Sequence, residues 1–188
     1  MEAEKIKKQI IKDVITPFFK NNSFTKKGVK FFKNINALVI EAEIQSQRYY
    51  TEENVKNFRI DVRVFPNDDS NYTSRSVLFG YCTIMFPETS WITINENTNF
   101  EELKIRLENE LSKVLLVVEE SSNLDLMIEK GKNAIKELEK SILKNNSELE
   151  KESDNQNLIH VLKNQLKTFN AKIEVINNWL NAVNNNAL

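Results

Sequence analysis

Apolar residues fall along this chain in two rhythms, and the change between them divides it. Over residues 3–21, Ile6, Ile10, Val14 and Phe18 recur at four-residue steps, with Ile11 and Ile15 widening the stripe. That spacing predicts an amphipathic helix whose opposite side carries Lys5, Lys8 and Lys12. Pro17 lies inside the pattern and predicts a kink or an end near Thr16, with Asn21-Asn22-Ser23 as the following turn. From about residue 28 to 95 the period is two. Gly28–Lys33 reads as a first strand. Residues 37–47 set Leu38, Ile40, Ala42 and Ile44 against Glu41, Glu43, Gln45 and Gln47. Residues 57–65 set Phe58, Ile60, Val62 and Val64 against Arg59, Asp61 and Arg63. Such alternation belongs to an antiparallel sheet with one face on a core and one face polar. Pairing these two strands is expected to place Glu41 and Glu43 across from Arg59 and Arg63, on an exposed face. Residues 76–86 are apolar on both parities and predict a strand covered on both faces, or one passing under the N-terminal helix. Trp91–Ile94 is a short last strand after a turn at Pro87–Ser90.

Beyond residue 98 the helical period returns. Thr98 and Glu101 have capping-box spacing, and Phe100, Leu103, Leu107, Leu111, Val114 and Val118 form the stripe of the helix that follows. A second helix over 123–144 and a third over 155–185 alternate four- and three-residue apolar steps, as coiled-coil seams do. Asn145-Asn146-Ser147 and Ser153-Asp154-Asn155 are read as the breakers between them. Two long helices joined by a short polar link fold back as an antiparallel hairpin. The expected fold is therefore α+β: an N-terminal helix, a four- or five-stranded antiparallel sheet, and three C-terminal helices. Residues 1–120 form the α+β domain, and 121–188 the hairpin, docked on the sheet domain or projecting from it.

Composition narrows the functional classes. In 188 residues, 26 basic and 27 acidic side chains leave a net charge of −1, which disfavours a strongly basic nucleic-acid binder. Charge is nevertheless segregated: residues 1–33 hold nine Lys against three acids, a surplus of six. No apolar run reaches the roughly 18 residues of a membrane span, and the charged first twelve residues do not resemble a signal peptide. The expectation is a cytoplasmic protein. The single Cys, Cys82, excludes an intramolecular disulfide, and with the single His, His160, it provides no metal-ligand set; no metal and no cofactor are expected. Three isolated Gly cannot build a phosphate loop, and no Ser occupies a nucleophile elbow. Asp68-Asp69 lacks the spacing of an EF-hand and reads as a turn. The chain is therefore not expected to be an enzyme.

What remains is surface chemistry. Gln45, Arg48, Tyr49, Arg59 and Arg63 are the candidate partner-binding residues, because Arg and aromatic side chains carry interface energy. The favoured function is a non-enzymatic protein-interaction module, with toxin neutralisation of the kind immunity proteins perform added by analogy alone. One alternative is nucleic-acid binding through the Lys-rich segment, with Lys8, Lys12, Lys26, Lys27 and Lys30 as its contacts. The other is a structural protein that forms a homodimer through the C-terminal hairpin.

Ser23-Phe24-Thr25-Lys26-Lys27-Gly28, followed by Phe31 or Phe32, resembles the turn and strand of the bacterial family called domain of unknown function 4304. Glu43-Ile44-Gln45-Ser46, Arg59-Ile60-Asp61-Val62 and Trp91 are similar to its later segments, and the resemblance spans about residues 5–95. Ser23 stands where that family tends to have Gly, and the spacing before Arg59 is longer. The resemblance implies an N-terminal helix followed by an antiparallel sheet. It brings no catalytic residues.

Overall fold

The computed structural model describes residues 2–47, 54–67, 76–152 and 155–186, and its architecture is α+β. Helix α1 (Glu2–Ile10) runs through a π-helical turn (Ile11–Ile15) into α2 (Thr16–Asn21). Six strands follow: β1 (Thr25–Lys27), β2 (Lys30–Ile35), β3 (Leu38–Ser46), β4 (Lys56–Pro66), β5 (Gly80–Ile84) and β6 (Ile92–Ile94). Helices α3 (Phe100–Ser122), α4 (Leu124–Lys151) and α5 (Gln156–Asn186) close the chain. Strand order is β1-β2-β3-β4-β5, with β6 also paired to β4. The contacts divide the chain into two compact units.

The first unit comprises residues 1–35, 39–64 and 80–120. Pro17 does not end its first helix. A proline ring collides with the carbonyl four residues earlier and offers no N–H; here the turn before it is widened, with the Thr16 N–H bonded to the Ile11 carbonyl. The helix stops instead in a Schellman arrangement. Phe24 N donates to Phe19 O at 2.9 Å and Ser23 N to Lys20 O at 3.0 Å, Ser23 takes the left-handed φ of 64°, and Phe24 packs edge-on against Phe19 at 5.0 Å. The expected first strand is the second arm of a hairpin. Lys27 pairs with Lys30 across Gly28-Val29, and Gly28 has φ 62° while Val29 does not share that sign, the signature of a type II′ turn.

One face of the sheet is the core. Phe31, Ile40, Ala42, Phe58, Ile60, Val62 and Ile84 are buried together with Ile10, Ile15 and Phe19 of the N-terminal helix, and the rings of Phe19 and Phe31 stack at 4.4 Å. Leu103, Leu107, Leu111 and Val114 supply the buried stripe of α3. That helix begins one residue later than the expected cap: Asn99 Oδ1 accepts from Glu101 N at 3.0 Å and Glu102 N at 3.3 Å. Thr98 is engaged upstream, where its hydroxyl accepts from Asn95 N. The doubly apolar stretch 76–86 is strand only over Gly80–Ile84.

The second unit gathers Asn36–Leu38 and the described residues of 65–79 and 121–188. Helices α4 and α5 pack antiparallel: Gly131 lies against Trp179 and Ile176, whereas Asn145, further along α4, bonds to Gln165, nearer the start of α5. The expected break at Asn145-Asn146-Ser147 does not form. Asn145 is buried, its Nδ2 donates to Gln165 Oε1 at 2.9 Å, and α4 continues seven residues beyond the expected end to Lys151. A tight cluster holds the other end of the hairpin. The Trp179 ring meets Phe79 edge-on at 4.8 Å, its Nε1 donates to Asn36 O at 3.1 Å, and Asn36 Nδ2 donates to the carbonyls of Ser121 and Ser122. A Cβ on Gly131 would lie 3.1 Å from the Trp179 ring, so this position is spent on close approach.

Candidate functional site: the polar face of the sheet

The candidate site is the face of the sheet turned away from the core. Parity puts Glu41 and Glu43 of β3, Arg59, Asp61 and Arg63 of β4, and Tyr81 and Thr83 of β5 on it, because Arg63 pairs with Tyr81 and Asp61 with Thr83. Lys30 of β2 completes it. Lys30 Nζ sits 3.2 Å from Glu41 and 3.3 Å from Glu43. Arg63 reaches the same two carboxylates at 3.8 Å each, and Asp61 at 3.5 Å. Arg59 Nε lies 3.1 Å from Asp61 Oδ1. Tyr81 donates its hydroxyl proton to Asp61 at 3.3 Å, and the Thr83 hydroxyl donates to the Tyr81 oxygen at 2.8 Å. Three acids and three bases on three strands thus neutralise one another, and the hydroxyls of Tyr81 and Thr83 extend the lattice to a fourth.

This face departs from the expected one in two respects. It is not uniformly exposed: Glu41 is 0% and Asp61 4% accessible. A charge removed from water requires partners, and the lattice supplies them. Nor is the cross-strand pairing symmetrical. Arg63 takes both glutamates, while Arg59 turns to Asp61 on its own strand and lays its guanidinium 5.0 Å from the centre of the Trp91 ring. Of the other candidate partner-binding residues, Gln45 sits on β3 on the same side as Glu43, half-buried; Arg48 and Tyr49 lie outside the described residues. Lys30 is expected from the sequence as a nucleic-acid contact and not as part of this face, and Tyr81, Thr83 and Trp91 are not among the candidate partner-binding residues. Tyr81 and Thr83 were hidden because 76–86 is apolar on both parities, so only the register with β4 assigns them to this face.

The five candidate nucleic-acid lysines separate. Lys30 is held by Glu41 and Glu43, and Lys27 is its cross-strand neighbour on the polar face. Lys8, Lys12 and Lys26 belong to the N-terminal helix and to the side of β1 that faces it.

Two further features complete the inventory of the first unit. A pocket of about 380 Å³ is lined by Phe86, Glu88, Thr93, Asn95, Thr98, Asn99, Leu103 and Arg106, among others. Arg106 lies 3.7 Å from the centre of the Phe86 ring and bonds to Glu88, which holds that carboxyl below its usual range. Cys82, on the core face opposite Val62, is half-buried; burial pushes its thiol pKa up, against the attraction of Lys113 on α3. His160 is exposed, its Nε2 2.9 Å from Asn164. Among the described residues no group of three or more His, Cys, Asp or Glu is placed to hold a metal ion, and no helix is long and apolar enough to cross a membrane. Comparison with family models, with curated proteins and with solved structures finds no match for this chain.

Proposed function

We propose that this chain is a non-enzymatic protein-interaction module whose contact surface is the polar sheet face. The observation that carries the reading is the self-neutralised lattice of Lys30, Glu41, Glu43, Arg59, Asp61 and Arg63, with Tyr81 and Trp91 at its margin. Tyr81 is 55% exposed although bonded to a buried carboxylate. A large aromatic side chain locked in position by its own hydroxyl loses little entropy on docking, and Tyr, Trp and Arg are the residue types on which binding energy concentrates. The lattice makes the floor rigid, so a partner meets a preformed surface. The product of an adjacent gene, a toxin above all, is the first partner to test.

The test is calorimetry of the purified chain against the partner recovered with it, wild type beside Tyr81→Ala and Trp91→Ala. Each substitution is expected to weaken binding at least tenfold, as truncation of an interface anchor does. Unchanged affinity in both variants overturns the reading.

A further inference from the structure

A second surface lies on the N-terminal helix, and it rests on observations separate from the lattice. The apolar side of this helix is turned to the core: Ile10, Val14, Ile15 and Phe19 are buried, and Ile6, Ile11 and Phe18 are part-buried. On the outer side Lys8, Lys12, Thr16 and Lys20 follow at four-residue steps, about 6 Å apart along the axis at 1.5 Å per residue. Four residues overshoot one α-helical turn, so such a row drifts around a regular helix. The π turn over Ile11–Ile15 holds more residues per revolution and takes back part of the drift. Lys26 of β1 brings its Nζ to 3.1 Å from Thr16 Oγ1, so a further ammonium fills the gap between Lys12 and Lys20. Among the described residues, Lys12, Lys20 and Lys26 have no carboxylate within ion-pair distance. Lys8 has only Glu4 at 3.7 Å, with the lysine exposed and the glutamate half-buried.

We infer that this row is a docking surface for the phosphate backbone of duplex nucleic acid, read without regard to sequence. Charge complementarity names the ligand class, and what the row lacks narrows it. There is no Arg before residue 48, so no guanidinium fork is present on the row for bidentate base readout. The neighbouring rings of Phe19, Phe24 and Phe31 are buried, and Phe18 is part-buried with its ring edge-on to Phe19 at 5.3 Å, so the row lacks the series of open ring faces on which successive unpaired bases stack. The apolar face that an amphipathic helix inserts into a bilayer is already in the core. Lys8, Lys12, Lys20 and Lys26 outnumber the two acids beside them, Glu4 and the exposed Asp13, and a row of ammonium groups in excess suits a regular phosphate track.

The test is fluorescence anisotropy of a labelled 20-base-pair duplex titrated with the full chain between 50 and 200 mM salt. A single strand of the same length and phosphatidylserine vesicles are run alongside. Four phosphate contacts give a log–log salt slope near −3.6, or roughly a hundredfold loss of affinity over that range. The triple variant Lys12→Gln/Lys20→Gln/Lys26→Gln is expected to reduce the slope to about −0.9, and each single Lys→Gln change to reduce it by about 0.9, so the result does not hang on one variant's folding. Lys140→Gln on α4 is expected to leave binding unchanged. No duplex binding at 50 mM salt, preference for single strands or vesicles, or equal loss with the α4 control overturns the inference.

Discussion

At the scale of single residues, two backbone positions carry side chains where glycine fits better. Ser23 closes the Schellman motif at φ 64°, and Ala37 is the second central residue of the β2–β3 turn, with Asn36 and Ala37 at φ 50° and 57°. Both φ values positive is the type I′ pattern, for which Asn-Gly is the preferred pair. The left-handed region costs a residue with a Cβ about 1–2 kcal/mol, partly offset by the greater unfolded-state entropy of glycine. Ser23→Gly and Ala37→Gly are each expected to raise stability by about 0.5–1 kcal/mol, seen as a higher urea midpoint at unchanged slope. Asp61 is the opposite case. It is buried, accepts from Arg59 and Tyr81 and is ion-paired with Arg63. Asp61→Ala strips several donors of their acceptor at once and is expected to cost about 2–4 kcal/mol; a loss under 1 kcal/mol in chemical denaturation would show the lattice to be ornamental. The alternation of 57–65 announced Asp61 as a polar-face residue. Its burial was not legible, because burial depends on what lies above the face and not on the strand itself.

At the scale of elements, the α4–α5 pair sets one buried polar contact, Asn145 to Gln165, beside its apolar packing. Asn145→Ala is expected to cost about 1 kcal/mol, and a double-mutant cycle with Gln165→Ala to return a coupling of about 0.5–1 kcal/mol. A coupling of zero by thermal denaturation would remove the contact from the account. Strand β5 yields a pH effect. Burial raises the Cys82 thiol pKa above its ordinary 9.0, so the folded state holds this proton to higher pH than the unfolded one. Unfolding then releases a proton above about pH 9, and stability from this group falls as pH rises through that window. Cys82→Ala is expected to flatten the alkaline limb of the stability curve, and thiol labelling at pH 8 is expected to be slow until denaturant is added. Periodicity located every helix and most strands. It misplaced an end where a side chain found a tertiary partner, since Asn145 reads as a helix breaker until Gln165 satisfies its amide, and it left Pro17 open between a kink and an end, which the widened turn before it decides.

At the scale of the whole molecule, charge is segregated although its sum is small. The first 33 residues carry a surplus of six positive charges in a chain of net −1, with an isoelectric point near 6.0. Proteins associate most readily where net repulsion vanishes, and a chain with opposite charge on separate surfaces adds attraction between molecules. Solubility is expected to pass through a minimum near pH 6 and to recover by pH 8, with added salt raising it at the minimum by screening. A precipitation series over pH at two salt concentrations checks this; salt that lowers solubility at pH 6 would contradict the segregated-charge picture.

The succession of helix, strands and helices, the core faces of β3 and β4 and the seam of the C-terminal helices were determined by the sequence alone, because a period of 2 or 3.6 is a local property that one buried face is enough to impose. The lattice was decided by tertiary structure. Glu41, Asp61 and Arg63 lie on different strands or at different depths, and only the strand register brings Lys30 and Tyr81 to them. The lysine row is intermediate between these cases: its spacing is written in the helix, and the packing of β1 against that helix adds Lys26.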